Sequence, residues 1–239
     1  MIIQIMQNNM SNWISFWNSD HPIYVNARHR DVHYRTIARD VGRYVPSSDA
    51  VVLDYGCGEA LHADRIAAVA GRLILCDAAP KVRAALLARF AGIPNIEIRA
   101  PEEVAALPEH TLDLVVMHSV AQYLRPEETD VLFALFHRLL KPGGFFILGD
   151  VVPPHVSPLV DALALLRFGA ANGFFGAALL GLLRTAFSDY PRLRSKLGIS
   201  HYDEADMMSK LRAAGFTARR APANIGHNQA RMMFLAQPA

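Results

Sequence analysis

Short apolar runs alternate with longer helical stretches along most of this chain. Val51-Val-Leu-Asp54 is one such run and Arg72-Leu-Ile-Leu-Cys76 is another. Between them Ala60, Leu61, Ala63, Ile66, Ala67 and Val69 recur at helical spacing, so the order reads strand, tight turn, helix. The same reading predicts strands near 50–54, 72–76, 95–99, 112–117 and 144–150, with helices near 59–70, 80–91 and 127–140 between them. Helices near 10–17 and 28–44 precede the first strand. A helix near 203–214 leads to strands near 216–221 and 230–236. Such alternation predicts a parallel, doubly wound α/β sheet.

Residues 153–200 break the alternation. Pro153 and Pro154 open the stretch, and Leu159 to Leu183 follows with Asp161 and Arg167 as its only charges. Three readings compete: a pair of apolar helices capping a substrate site, a dimer or membrane-surface contact through 159–183, and a transmembrane hairpin. The uncharged piece Phe168–Leu183 is 16 residues long, short of the ~20 needed to cross a bilayer, and glycines interrupt it. The cap is the favoured reading.

Chemistry concentrates where the first strand ends. Asp54-Tyr-Gly-Cys-Gly58 places two glycines in the turn, where the backbone can bend sharply and a ligand can approach the main chain. Asp77 ends the second strand, a place that suits a ribose hydroxyl pair. The third glycine of the dinucleotide fingerprint is missing, and the chain has no phosphate-binding Gly-Lys-Ser/Thr loop here. A nucleoside cofactor without a pyrophosphate fits better, and S-adenosylmethionine is one.

Asp54-Tyr-Gly-Cys-Gly58 resembles motif I of the class I S-adenosylmethionine-dependent methyltransferases, of the type 11/12-like group. Leu107-Pro-Glu-His-Thr-Leu-Asp-Leu-Val-Val-Met117 is similar to their approach to strand four. Leu139-Leu-Lys-Pro-Gly-Gly-Phe-Phe-Ile147 is similar to their turn into strand five, and Ala213-Ala-Gly-Phe216 to their start of strand six. Ala60 departs from the pattern, since many members have a third glycine there. The resemblance implies a Rossmann-like, seven-stranded, mostly parallel sheet with an antiparallel last strand, a helical N-terminal segment and a helical insert after strand five. It implies S-adenosylmethionine held by Asp54, Gly56, Cys57, Gly58, Asp77 and Ala78. Glu102 or Glu103 would meet the adenine amine, with Glu102 preferred, and His118 would line the cofactor.

Ligands of open α/β sheets bind outside the carboxyl ends of the strands. That rim carries His118, Ser119, Gln122 and Tyr123 after strand four, Asp150 after strand five, and His227 and Asn228 in the loop before the last strand. His118, Asp150 and His227 are the catalytic candidates, needed as a base only if the acceptor is an amine or hydroxyl. Asp113 begins its strand on the opposite rim and reads as structural. Asp77 also suits a helix cap, and Cys57 suits a small packing residue. Asp203 is expected to cap the 203–214 helix.

The N-terminal segment is read as a lid over residues 1–45, with the methyltransferase domain over 46–239 and the cap insert over 153–200. Trp13, Phe16 and Trp17 share a helical face. Tyr24 would close over the cofactor, with Arg28 or Arg35 pairing its carboxylate. His29 and His33, four apart, read as a surface pair, since the zinc motif's glutamate is absent between them. No metal is expected.

Composition narrows the partners. The 239 residues carry 24 basic and 22 acidic side chains, a net charge of +2, and no long basic run, so nucleic acid is not an expected partner. The apolar insert favours a small hydrophobic acceptor, lipid-like or aromatic. Two cysteines, Cys57 and Cys76, and an N-terminus without a basic, apolar leader point to the cytoplasm. Two rivals share the strand–turn–helix: a nicotinamide-dependent oxidoreductase, and a non-catalytic partner subunit retaining the cofactor fold.

Overall fold

Strands β1 (Val51–Tyr55) and β2 (Arg72–Cys76) are almost fully buried on both faces, and that burial explains their near-continuous apolar sequence. The computed structural model describes residues 24–186 and 199–239. The predicted 10–17 helix, with Trp13, Phe16 and Trp17, lies outside the described residues.

The sheet has seven strands in the order β3-β2-β1-β4-β5-β7-β6. Besides β1 and β2 these are β3 (Ile96–Arg99), β4 (Leu112–His118), β5 (Leu140–Val151), β6 (Phe216–Arg220) and β7 (Met232–Pro238). The first five pair in parallel, whereas β7 runs antiparallel to both β5 and β6. The predicted doubly wound sheet with an antiparallel last strand is the observed one.

Alternate residues of each strand serve opposite faces. On one face Leu53, Val115, Met117 and Phe146 pack against α5 (Pro126–Leu139) and α8 (Glu204–Ala213). On the other, Val52, Leu73, Leu75 and Leu114 pack against α1 (Ala27–Gly42), α2 (Ala63–Ala67) and α3 (Pro80–Phe90). Each fully buried aliphatic side chain contributes roughly 1.5–3 kcal/mol relative to exposure, so these layers hold the sheet.

Helix starts follow local chemistry. Proline occupies the first turn of α3, α4 (Pro101–Ala105), α5 and α6 (Pro158–Asn172), where its missing N–H costs nothing. Asp203 caps α8 as expected, accepting from the Asp206 N–H at 2.7 Å. Asp113 is structural: it accepts from the Val51 N–H at 2.8 Å and pairs with Lys141.

Two elements differ from expectation. The helix near 59–70 is reduced to α2, because Ala60 takes a left-handed conformation that ends the glycine turn before a helix can begin. The insert folds as a helical hairpin, α6 and α7 (Phe175–Ala186). Ala38 and Val41 of α1 join the main core.

Candidate active site

The turn after β1 is shaped by left-handed backbone. Gly56 has φ 76°, and a Cβ there would lie 2.3 Å from Val120. Gly58 has φ 58°, and a Cβ would lie 2.9 Å from the Tyr34 hydroxyl. Neither position accepts a side chain without displacing a wall of the cavity. The Gly56 and Cys57 N–H groups both donate to the Cys76 carbonyl, at 2.7 and 3.1 Å, which ties the turn to the end of β2.

Asp77 performs two jobs. Its Oδ2 accepts from the Gly58 N–H at 3.0 Å and its Oδ1 from the Ala79 N–H at 2.8 Å. Asp77 is not the cap of α3, whose N-cap is Ala79 with no side-chain cap bond; it braces the turn before that helix, and the same carboxylate also faces the cavity beside the glycine turn. Burial raises the pKa of Asp77 above the ordinary carboxylate value. Asp54, 9% exposed, is pushed up to about 7 by burial and then by the charge of Asp77. A buried and a half-buried carboxylate at one end of a cavity favour a cationic ligand there.

The cavity holds about 380 Å³ and runs from Asp54, Asp77 and Ala78 to His118, Asp150 and His227. Tyr24 lines it, as expected; burial pushes its hydroxyl up to about 12. Tyr34, which the sequence reading missed, also lines it and accepts the Glu59 N–H at 3.0 Å.

The far wall is made of imidazoles. His29 and His33, read from sequence as a surface pair, both line the cavity with His118 and His227. The four-residue spacing did place them on one helix face, but that face points inward. Rings of His29 and His33 each lie near His227, with centroids 6.3 and 6.1 Å apart. His29 accepts from the Val25 N–H, and burial lowers its pKa to about 4. Burial also lowers those of His33, His118 and His227. These rings are therefore neutral near pH 7. Among the described residues, no group of three or more His, Cys, Asp or Glu side chains is arranged to hold a metal ion.

The hairpin is fastened to this wall. Phe168 of α6 stacks on His227 at 4.3 Å, and Phe174, between α6 and α7, stacks on His29 at 5.0 Å. Asp161 of α6 pairs with Arg231 at 2.6 Å and accepts from the Asn228 side chain at 2.9 Å.

Five residues expected at the site have other partners or stand exposed. Glu102 is exposed, and Pro101 lines the cavity in its place. Glu103 turns back to accept the Ala100 N–H at 2.6 Å, which consumes its carboxylate in the start of α4. Arg28 is exposed and donates to the Asn172 carbonyl, and Arg35 pairs with Asp31 one helical turn away. Asn228 is drawn away by Asp161.

Residues 53–148 match a family model described as a methyltransferase domain. Over that stretch the chain is similar to methyltransferase domains. A probable S-adenosylmethionine-dependent methyltransferase of Mycolicibacterium smegmatis is 35% identical over 121 residues, which is 50% of this chain and 42% of that protein. The matched stretch thus spans less than half the length of that relative. Among solved structures, the DhpI–SAH complex is similar over 98% of both chains, with a TM-score of 0.62 at 14% identity. Magnesium protoporphyrin IX methyltransferase of Synechocystis PCC 6803 with bound SAH is similar over 100% of this chain and 99% of its own, with a TM-score of 0.58 at 17% identity. At such identities the likeness is one of fold, and the fold is that of the class I methyltransferases. The matched residues end within β5, the strand that precedes the α6–α7 hairpin.

Proposed function

We propose that this protein transfers a methyl group from S-adenosylmethionine to a small hydrophobic acceptor. The observation that carries the reading is a single cavity with two chemically distinct ends. One is a glycine turn beside buried Asp54 and half-buried Asp77, and the other is a wall of neutral imidazoles on which an apolar hairpin packs. The cofactor fits the first end. Gly56 and Gly58 leave room for close approach, the Asp77 carboxylate is placed for ribose hydroxyls, and Asp54 offers negative charge to a sulfonium and ammonium.

Bound there, the cofactor supplies a methyl carbon already activated toward nucleophiles. Gly56, Gly58, Asp54 and Asp77 would hold the cofactor, which would supply a methyl group to an acceptor lone pair. The chain's own residues align the acceptor and exclude water. A hydroxyl or amine acceptor must also lose a proton, and His118, Asp150 and His227 are placed to take it. The paired relative and the SAH-bound structures support the cofactor. Free, buried Cys57 and Cys76 fit a reducing, cytoplasmic setting.

Calorimetric titration with S-adenosylmethionine and SAH, with Asp77→Ala alongside and NADH as a control, tests the reading. Micromolar binding that weakens in the variant supports it. A folded protein that ignores both ligands overturns it.

A further inference from the structure

The inner side of the α6–α7 hairpin is occupied by its contacts to the histidine wall, but its outer side has no covering element among the described residues. Leu159, Leu163, Phe175, Leu179, Leu180 and Leu183 are each between 43% and 74% exposed there. Of the ten large hydrophobic side chains exposed on the described surface, seven belong to this hairpin. A contiguous exposed apolar surface marks a contact with something apolar.

The charges of the hairpin indicate what that is. Arg167 and Arg184 lie on its exposed side. Its one carboxylate, Asp161, is turned inward and paired with Arg231. Arg28 stands exposed at the hairpin turn, bonded through its guanidinium to the Asn172 carbonyl, so its positive charge has no carboxylate opposite it in that contact. The outer side therefore offers leucines and phenylalanine with cations only. Docking against a second copy would bring these cations together without a counter-charge. A bilayer with anionic headgroups accepts the apolar side chains and supplies the missing negative charge. Crossing is excluded by length, since α6 and α7 hold 15 and 12 residues, and no helix among the described residues is long and apolar enough to span a membrane.

We infer that the α6–α7 hairpin is a docking surface for anionic membranes, lying in the lipid–water interface with its inner side packed on His29 and His227 of the cavity wall. A lipid-soluble acceptor would then reach the histidine wall from the bilayer. The acceptor route rests on the proposed methyl transfer, whereas the docking itself does not.

Co-sedimentation of the full chain with vesicles tests it, using phosphatidylcholine alone and phosphatidylcholine mixed with phosphatidylglycerol. The protein is expected to partition at least roughly tenfold more onto the anionic vesicles and to be released by salt. Leu163→Glu with Leu180→Glu should abolish binding, and Arg167→Glu with Arg184→Glu should remove the preference for phosphatidylglycerol. SAH affinity, measured separately, should be unchanged in both, which shows that they fold and keeps this test apart from that of the cofactor. Absence of the protein from both vesicle pellets overturns the inference. Equal binding to both lipids overturns its electrostatic part. A solution dimer that the leucine variant converts to monomer assigns the face to a second copy instead.

Discussion

Ser119 donates its hydroxyl hydrogen to Asp150 Oδ2 at 2.7 Å, and both residues hold left-handed backbone, with φ of 59° and 60°. Ser119 follows the end of β4, Asp150 lies next to the last residue of neighbouring β5, and both face the same cavity. Left-handed conformations cost a non-glycine residue of order 1–3 kcal/mol each. Asn224 holds the second one in place, its side-chain oxygen accepting from the Asp150 N–H at 3.0 Å. The strained pair aims a carboxylate at the region shared by His118 and His227, whose imidazoles it stabilises in their charged form.

Replacing Ser119 with Gly relieves the strain and deletes the hydrogen bond. Thermal stability is expected to hold or rise slightly, while kcat falls by roughly tenfold or more if Asp150 orients a proton acceptor. The pH–rate profile separates this from a general loss of structure. An unchanged profile with unchanged kcat would remove Asp150 from the chemistry.

Ala60 occupies the place of the absent third glycine, with φ 42°. Ala60→Gly gives the turn a residue suited to that angle, at the expense of one buried methyl. The expected result is a gain of up to about 1 kcal/mol, or roughly 2–4 °C in Tm for a chain of this size, with SAH binding retained. A fall in Tm would show that the methyl contributes more than the strain costs.

The charge of Asp54 couples cofactor affinity to pH. In the free protein its carboxyl titrates at about 7, and a cationic cofactor favours the ionised form. Below pH 7, binding of S-adenosylmethionine must release that proton, so affinity should rise with pH by up to about tenfold per unit. SAH lacks the sulfonium charge and should respond less. Titrations from pH 5.5 to 8.5 check this, and Asp54→Asn should flatten the slope.

Acid should loosen the hairpin. An unfolded histidine takes a proton near 6.5, whereas folded His29 resists until about 4. Between those values the unfolded state holds more protons, so stability falls as pH drops from 6.5 toward 4. His33, His118 and His227 shift in the same direction and add to the effect. Asp54 acts oppositely, its contribution being lost as pH rises from 3.8 toward 7. Melting curves at pH 5 and 7.5 should show a smaller acid loss for His29→Phe, which keeps an aromatic ring against Phe174.

Much of this was legible in the sequence. Apolar runs such as Val51–Leu53 and Leu73–Cys76 are long enough only for strands, and burial on both faces leaves them unbroken. The glycines at 56 and 58 and the acid at 77 carried the cofactor end, because those places demand particular residue types. The acceptor end was less legible. His29 and His33 lie roughly 200 residues from His227 in sequence, and nothing local tells an inward imidazole from an outward one. Glu102 and Arg28 failed for the matching reason: a long charged side chain at a helix start can turn to solvent, and both do.

The sequence by itself determined the alternation of strands and helices, the sharp turn after β1 and the apolar character of the insert. Each follows from periodicity, backbone freedom or side-chain transfer from water, which act over a few residues. The tertiary structure alone decided that His29, His33, His118 and His227 form one wall, that Phe168 and Phe174 clamp the hairpin onto it, and that Asp161 turns inward to leave arginines outside. Those relations join residues far apart in the chain, and only the packing of the sheet and its helices brings them within contact.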